Sequence, residues 1–478
     1  TGLAEISMKE AEYKKAVDYA QKAFDFNRYN TTALEIAAVA NRKQNNIEFA
    51  ENELNRLTEI DPLNLLIGFE KSKQGNGNSL ENSEKINNEL PHEFYLSLAL
   101  KYYRMGCEDD AIEVLNAGPK NPETLLWLSF LTNNDQLLQQ AVDASPAFVF
   151  PFRTETKELL SRLQQTNNNW KLKYYLALID WRLGLKEEAK TLFTACAVEP
   201  DFSPFYLAKA TLFAGDKIIV KESVENAIKC DSADWRANLA LIKIYNETGD
   251  YQKSELIALR FFEQNSENSV FALEYARSLL NQGKYDKGIS FLENVNILPY
   301  EGSTEGKLIF TELFTRKALE DFEKKQYTKA IRNAEKAKKW PVNLGSGSPY
   351  NPDERLQDYL IANALLKTKK EKDAERYFQK IIEFKPVSET NEGALLYLKL
   401  AALKQLGKAD EANRLLASCV EKSPENDYMQ WVEAEFNNRN SEEKANDILA
   451  ENVDELAQQK RETSAFKLLL DCIKTVGN

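Results

Sequence analysis

The sequence predicts an all-α fold: a right-handed α-solenoid of stacked helix–turn–helix hairpins, with irregular loop insertions. One observation is a helical pattern that returns about every 34 residues, as between Ala16 and Ala50 and between Ser254 and Gly288. A second is the small residue at each of these positions, because two helices approach closely only where one of them has a small side chain. A third is that we find no convincing strand alternation in the sequence.

Turns and prolines interrupt the helical pattern and divide the chain into six predicted segments. Asp61-Pro62 closes the second hairpin, because proline cannot continue a helix and its predecessor is pushed away from helical angles. The predicted segments are 1–70 (N-terminal hairpins), 71–90 (polar loop or crossover), 91–156 (a hairpin, an extra helix and a Pro/aromatic loop), 157–300 (regular repeats), 301–427 (repeats with insertions) and 428–478 (C-terminal capping helices).

The small residue recurs in the later hairpins, although the spacing changes. It is found at five further positions: Ala111, Ala189, Ala330, Ala374 and Ala412. Two insertions, at 297–307 and 340–354, are rich in Gly, Pro and Ser. Around them the interval between small residues grows to 44, from Ala330 to Ala374. Insertions in such folds tend to lie on one edge or on the concave face, so we expect them near a binding surface.

Charge and composition exclude several classes of function. The chain has 62 Lys and Arg against 74 Asp and Glu, a net charge of −12. Binding of a phosphate backbone needs clustered positive charge, so we expect no nucleic-acid partner. No apolar run approaches 18 residues, which predicts no membrane span. The number of cysteines is odd and none are closely spaced, which predicts buried free thiols: Cys107, Cys196, Cys230, Cys419 and Cys472.

The hairpins resemble tetratricopeptide repeats over most of the chain. Three irregular segments add a second resemblance: FVFPFRTE (148–155), LPYEGSTEGK (298–307) and WPVNLGSG (340–347). In this order they are similar to the repeat region of a bacterial family of unknown function. That resemblance implies an N-terminal β-rich domain of a type associated with carbohydrate-active sandwiches. It carries no established activity onto these residues.

The start of the chain fits that expectation. It begins with Thr1-Gly2 rather than Met, and the helical pattern starts within a few residues. We therefore expect that an N-terminal portion, a signal peptide or a whole domain, has been removed. The compartment stays open between the cytoplasm and the periplasm or cell envelope of a bacterium, and we expect a monomer.

The motifs of enzymes and cofactor sites are missing from the sequence. Its one histidine, His92, has no nucleophile signature beside it, and no closely spaced Cys or His pairs could hold zinc. The run GSGSP at 345–349 has no preceding strand and no following Lys-Ser or Lys-Thr, so it predicts a flexible connection rather than a phosphate loop. We therefore predict no enzyme, no cofactor and no metal.

The first candidate binding residues lie in the Pro/aromatic segment. Arg153 follows Phe152 on a stretch that a proline and two aromatic rings should hold rigid. A guanidinium on a rigid loop can pin a carboxylate with two hydrogen bonds. Its partner is either internal, such as a helix C-terminus or Glu155, or a carboxylate on a ligand or partner protein.

The two insertions supply four more candidates. Tyr300 and Glu301 could contact sugar hydroxyls, or a glutamate here could cap the following helix. Trp340 and Asn343 belong to a loop that either packs over a helix end or takes part in recognition. If the three irregular segments converge in space, they form the best candidate site.

Three further candidates lie on predicted first helices: Tyr174, Trp181 and Tyr245. Aromatic side chains there either pack between hairpins or line a groove. The leading hypothesis is a non-catalytic scaffold that binds a peptide, a partner protein or a neighbouring domain in a superhelical groove. The alternative is an accessory domain of a carbohydrate-processing or carbohydrate-binding protein that docks on a missing β-domain.

Overall fold

The structure is a computed structural model that describes residues 1–73, 90–197, 199–386, 393–451 and 457–477. These residues form 27 α-helices and no β-strand, so the predicted all-α fold is confirmed. The chain divides into two compact units, Thr1–Ser232 and Ala233–Asn478, called unit 1 and unit 2 below. Their boundary falls inside the predicted segment of regular repeats, 157–300.

Unit 1 holds the first fourteen helices. They are α1 (Gly2–Lys9), α2 (Tyr13–Phe26), α3 (Thr31–Lys43), α4 (Ile47–Ile60), α5 (Leu65–Lys73), α6 (Pro91–Arg104), α7 (Glu108–Ala117), α8 (Pro122–Thr132), α9 (Asp135–Asp143), α10 (Thr154–Leu163), α11 (Trp170–Arg182), α12 (Lys186–Ala195), α13 (Ser203–Leu212) and α14 (Lys217–Cys230). Most pair as antiparallel hairpins, whereas α10 packs against α8 and α11.

Unit 2 holds the remaining thirteen helices. They are α15 (Trp235–Thr248), α16 (Tyr251–Gln264), α17 (Ser269–Asn281), α18 (Tyr285–Asn294), α19 (Glu305–Glu323), α20 (Tyr327–Ala337), α21 (Arg355–Lys367), α22 (Glu371–Glu383), α23 (Leu396–Gln405), α24 (Ala409–Lys422), α25 (Asp427–Phe436), α26 (Ser441–Glu451) and α27 (Ala457–Gly477). Short 3₁₀ turns lie at Val342–Leu344 and Gly393–Leu395.

The first helices of unit 2 form one continuous layer. Six hairpins run from α15–α16 to α25–α26, and each first helix contacts the first helix of the next hairpin. We call the exposed side of this layer (α15, α17, α19, α21, α23 and α25) the first-helix surface.

The predicted small residues lie where helices meet. Gly288 of α18 fits between two neighbours, because a Cβ there would lie 2.9 Å from Leu313 of α19 and 3.6 Å from Leu279 of α17. The Ser254 hydroxyl lies 2.6 Å from that of Ser278, so α16 and α17 touch through two small side chains. The alanines at the other predicted positions have no exposed surface: Ala16, Ala50, Ala111, Ala189, Ala330, Ala374 and Ala412.

Most hairpin turns of unit 2 close on a residue in the left-handed conformation. Gly249 (φ +81°) and Gly283 (φ +70°) hold this position in the regular hairpins. Lys325 (φ +58°) and Lys369 (φ +60°) hold it in the α19–α20 and α21–α22 hairpins, on either side of the second insertion. An L-residue with a side chain costs about 1–2 kcal/mol in this conformation, so the fold tolerates local strain at both lysines.

Buried lysines close the ends of two helices. Lys171 donates from Nζ to the carbonyls of Val142 and Ala144 at 2.6 and 2.7 Å, at the end of α9. Lys307 donates to the carbonyl of Ala337 at 2.7 Å, at the end of α20. A cation suits the negative end of a helix dipole. Burial nevertheless lowers the pKa of both amines, that of Lys307 to about 8.

Some predicted details differ from the structure. Helix α5 continues to Lys73, into the predicted loop 71–90, and the rest of that loop up to 89 lies outside the described residues. Three cysteines are buried, but Cys419 is half-buried and Cys230 is exposed, so the burial prediction is wrong for Cys230. Within the described chain, no helix combines the length and apolar character that a bilayer crossing needs.

Candidate functional site

The last helix, α27, lies on the first-helix surface of unit 2. It packs against α19 and α21, and three polar side-chain contacts join it to α19. They are Ser464 Oγ to Glu312 Oε2 (3.2 Å), Arg316 Nη1 to Asp471 Oδ2 (3.0 Å) and Thr475 Oγ1 to Glu323 Oε1 (3.0 Å). Because the residue numbers rise together in these pairs, α27 runs parallel to α19.

An apolar stripe on α27 faces the same surface. Phe466, Leu469, Cys472 and Val476 recur every three or four residues and are all buried in one core with α21, α23 and α25. The ring of Phe466 meets that of Trp431 on α25 edge-to-face at 4.9 Å. This spacing is that of one face of an amphipathic helix. The first-helix surface therefore holds a helix by its apolar side.

A charged cavity of about 790 Å³ opens where α27 ends. Its lining combines four cations with three carboxylates: Arg316, Lys325, Lys367 and Lys474 with Glu320, Glu323 and Asp471. Tyr285, Tyr327 and Thr475 also line it. Arg316 is half-buried; burial alone would lower its pKa, but the carboxylates of Glu312 and Asp471 raise it. The guanidinium is therefore a fixed cation facing α27.

Arg153 anchors the Pro/aromatic loop of unit 1. Its guanidinium donates to Glu93 Oε2 at 2.7 Å and to Ser97 Oγ at 2.9 Å, both on α6, and stacks 4.2 Å from the ring of Phe152. Arg153 thus forms an internal ion pair, with Glu93 rather than Glu155. Glu155 instead accepts a hydrogen bond from Arg104 at 2.6 Å.

The loop that Arg153 anchors presents aromatic side chains outward. Phe148, Phe150 and Phe152 are exposed, whereas the alternate residues Val149 and Pro151 are buried. Deeper in the unit, Glu123 is buried 3.9 Å from the Arg153 guanidinium and accepts a hydrogen bond from Thr156. Burial, together with the charge of Glu93, raises the pKa of Glu123 to about 7.

The two insertions of unit 2 pack against each other. The amide of Asn343 donates to the carbonyls of Leu292 and Val295 at 2.9 and 2.7 Å. The backbone carbonyl of Asn343 accepts a hydrogen bond from the backbone N–H of Ile297 at 2.7 Å. Gly345 (φ +66°) lies so close that a Cβ there would be 2.6 Å from the Ile297 carbonyl. We call this pair of loops the loop clasp (residues 296–304 and 340–348).

The predicted candidates in the loop clasp are half-buried or exposed. Trp340 is half-buried, with its ring 4.9 Å from the ammonium of Lys307. Tyr300 and Glu301 are exposed. Glu305 begins α19 and pairs with Arg277 on α17 rather than capping the helix.

The aromatic candidates on first helices differ in burial. Tyr174 is buried among rings that include Phe193 and Phe205, at centroid distances of 5.8 and 5.3 Å. Trp181 and Tyr245 are half-buried. Tyr174 therefore packs between hairpins of unit 1.

The structure brings together two of the three irregular segments. Segments 298–307 and 340–347 meet in the loop clasp, where the Ser346 hydroxyl donates to the carbonyl of Ser303 at 2.7 Å, whereas 148–155 belongs to unit 1. The sequence interpretation missed the docking of α27, which it treated as part of a terminal cap. The 466–476 stripe was a visible signal, but helical spacing alone does not reveal what a stripe packs against.

Chemistry-bearing groups are sparse in the described part of the chain. His92 is mostly buried beside Glu93, and burial lowers its pKa. No group of three or more His, Cys, Asp or Glu side chains among the described residues is placed to hold a metal ion.

Comparison with solved structures finds tetratricopeptide-repeat proteins at low sequence identity. No protein-family model matches this sequence, and no curated protein matches it. A solved tetratricopeptide repeat protein from Parabacteroides merdae is 14% identical over 57% of this chain and 98% of its own, with a TM-score of 0.26. The P58(IPK) TPR domain is 13% identical over 91% of this chain and 96% of its own, also with a TM-score of 0.26.

Yeast Tom70 is similar at the same level: 15% identity over 88% of this chain and 91% of its own, and a TM-score of 0.26. At these scores, nothing about a ligand or partner follows from the likeness. The chain is similar to tetratricopeptide-repeat proteins, and its all-α fold is established by its own helices.

Proposed function

We propose that this protein is a non-catalytic scaffold, and that the first-helix surface of unit 2 binds an amphipathic helix of a protein partner. The observation that carries the proposal is α27, which is itself such a helix seated on that surface. A surface that holds one amphipathic helix has the shape and chemistry to hold another.

The contacts favour a helical ligand over an extended peptide. Along α27 the three polar contacts are spaced by seven and four residues, and along α19 by four and seven. These intervals place side chains on one face of each helix. The apolar stripe follows the same period, so an extended strand would turn every second side chain away from the surface.

Affinity would come mainly from the apolar stripe. Full burial of a Phe, Leu or Val side chain is worth about 1.5–3 kcal/mol, and aromatic anchors such as Trp431 often dominate binding. The first helices are held in place by their own hairpins, so the surface needs little ordering when a ligand binds.

The placement of the most reactive groups supports a non-catalytic role. Arg153 is held by Glu93 and Ser97, and His92 is mostly buried. Glu301, the strongest acid–base candidate in the sequence, lies on an exposed loop rather than in a cleft. General acid–base catalysis instead needs such a group within hydrogen-bond reach of a bound substrate.

A peptide-binding titration tests the proposal. The full chain carrying Leu469→Asp, which places a charge in the apolar stripe and releases α27, is titrated with a fluorescent peptide of sequence 457–477. We expect saturable binding that weakens when Arg316→Glu is added. Arg332→Glu, an exposed change on the second helix α20, is the matched control and should leave binding unchanged. Absence of binding to the folded Leu469→Asp chain contradicts the proposal.

The resemblance to the bacterial repeat family supports a second form of the scaffold, in which a β-rich neighbouring domain docks on the chain. The exposed phenylalanines 148, 150 and 152 of unit 1 offer the apolar surface for it.

The carbohydrate-processing alternative would use Arg153, Tyr300 and Glu301 at one sugar site. Arg153 is already engaged by side chains of α6, so this alternative has less support. Triple alanine substitution of the phenylalanines should abolish domain docking, and titration with oligosaccharides tests the sugar site.

A further inference from the structure

We infer that α27 is a displaceable ligand in cis, and that the partner which replaces it is an amphipathic helix with an acidic residue opposite Arg316 and a basic residue four positions later. The inference rests on the proposed function and specifies its partner and its regulation. It follows from two contacts between α27 and the surface beneath it, of which one is well matched in charge and the other is poorly matched.

One of the polar contacts is well matched in charge. Asp471 lies 3.0 Å from the Arg316 guanidinium, which is a fixed cation on α19. Glu312 holds Arg316 from its other side at 2.8 Å, so the guanidinium is preoriented toward α27. A carboxylate in this register gains from a guanidinium that is already in place.

The next contact along α27 is poorly matched. The Glu323 carboxylate accepts a hydrogen bond from the neutral hydroxyl of Thr475 at 3.0 Å. Hydrogen bonds between a carboxylate and a cation are stronger than those between a carboxylate and a hydroxyl. A lysine or arginine in the Thr475 register would therefore bind Glu323 better than α27 does.

The cavity at the end of α27 has room for that longer side chain. Both Thr475 and Glu323 line the 790 Å³ space, so a lysine in place of the threonine would enter open volume rather than packed core. In an isolated helix, an acid and a base at this four-residue interval also attract each other, which favours the helical form of the ligand.

The side of α27 opposite the apolar stripe is exposed at Lys467 and Lys474, whereas the stripe is buried. The helix is therefore held through its apolar face and the polar contacts beside it. A helix held on one face can leave as a unit without separating the hairpins below it. Its advantage over a partner is its covalent attachment, which gives a tethered ligand an effective concentration on the order of millimolar.

Cys472 reports on the position of α27 in the unaltered chain. Its thiol lies in the stripe with no exposed surface, and burial raises its pKa to about 12. Alkylation by N-ethylmaleimide, followed by mass spectrometry of each cysteine, should be slow at Cys472 and fast at the exposed Cys230. The buried Cys107 and Cys196 of unit 1 are internal controls.

The experiment adds peptide 457–477 carrying Cys472→Ser to the full wild-type chain. We expect alkylation of Cys472 to accelerate about tenfold or more at saturating peptide, with Cys107 and Cys196 unchanged. A peptide that also carries Thr475→Lys should reach the same effect at about two- to fivefold lower concentration. That gain should disappear when the chain carries Glu323→Gln, which removes the charge but keeps the shape.

The outcomes separate the two proposals. If the peptide binds the Leu469→Asp chain but leaves Cys472 protected in the wild-type chain, α27 is a fixed part of the core, and the inference fails while the proposed function stands. If no peptide binds the folded Leu469→Asp chain, both fail. If the lysine peptide gains nothing, or gains equally with Glu323→Gln, the partner chemistry is wrong.

Discussion

The closely spaced hairpins α15–α16 and α17–α18 and the widely spaced hairpins α19–α20 and α21–α22 use the same helix packing but differ in what is built around it. In the closely spaced pair the small residues Ser254 and Gly288 are 34 apart, and in the widely spaced pair Ala330 and Ala374 are 44 apart. The extra residues lie in the loop that follows α20, and α27 packs on α19 and α21. Insertions thus leave the hairpins intact and add contacts around them.

The largest expected loss of stability comes from detaching α27 from the widely spaced hairpins, where it packs on α19 and α21. Leu469→Asp puts a carboxylate into a fully buried position, and should lower the free energy of unfolding of unit 2 by about 3 kcal/mol or more. Hydrogen exchange should quicken in α19 and α21, on which α27 packs, but not in α15 and α16. Lys467→Ala, on the exposed side of α27, is the control and should change neither measurement.

The loop clasp offers the next largest effect. Gly345→Ala forces a side chain into the left-handed region and within 2.6 Å of a backbone oxygen, so it should destabilise unit 2 by about 2 kcal/mol or more in urea unfolding. Gly347→Ala, two residues further on, has nothing within 4 Å of the added Cβ and should be nearly neutral. Equal effects at both positions would mean that the clasp is not formed.

Lys307, in the first turn of α19, should make the stability of the chain depend on pH. Its pKa in the folded chain is about 8, below the ordinary value of 10.5, because burial disfavours the ammonium. Between these values the unfolded chain binds more protons, so stability rises with pH, by at most about 1.4 kcal/mol per pH unit. Relative to Lys307→Met, the wild type should gain stability from pH 8 to 10 and show no trend from pH 6 to 7. A flat difference throughout would show that the amine keeps its ordinary pKa.

The smallest expected change in stability is at the hairpin turns. Lys369→Gly relieves a left-handed turn and should stabilise the chain by about 1 kcal/mol. Gly249→Ala should destabilise by about the same amount, because its added Cβ meets no other atom and only the backbone conformation opposes it. Thermal unfolding of both variants checks the signs. Matching signs would contradict the shared turn geometry.

The sequence predicted the parts of this fold that depend on local spacing. Small residues such as Ala330 and Ala374 mark where helices meet, because a close approach admits no larger side chain there. The partner of a distant group is not encoded in that spacing. Arg153 pairs with Glu93, sixty residues earlier, and Arg316 with Asp471, 155 residues later, so neither pair could be identified from the local pattern.

The most direct test of the helix-binding surface is a charge swap between α19 and α27, read by alkylation of Cys472 in the full chain. Arg316→Asp and Asp471→Arg each place like charges face to face, and each should speed the modification of Cys472 severalfold. The double variant restores opposite charges in the same register and should return Cys472 to its slow wild-type rate. If Cys472 of the double variant is alkylated as fast as the two single changes combined would predict, α27 does not pack on α19. The observation behind the proposed helix-binding surface would then be wrong.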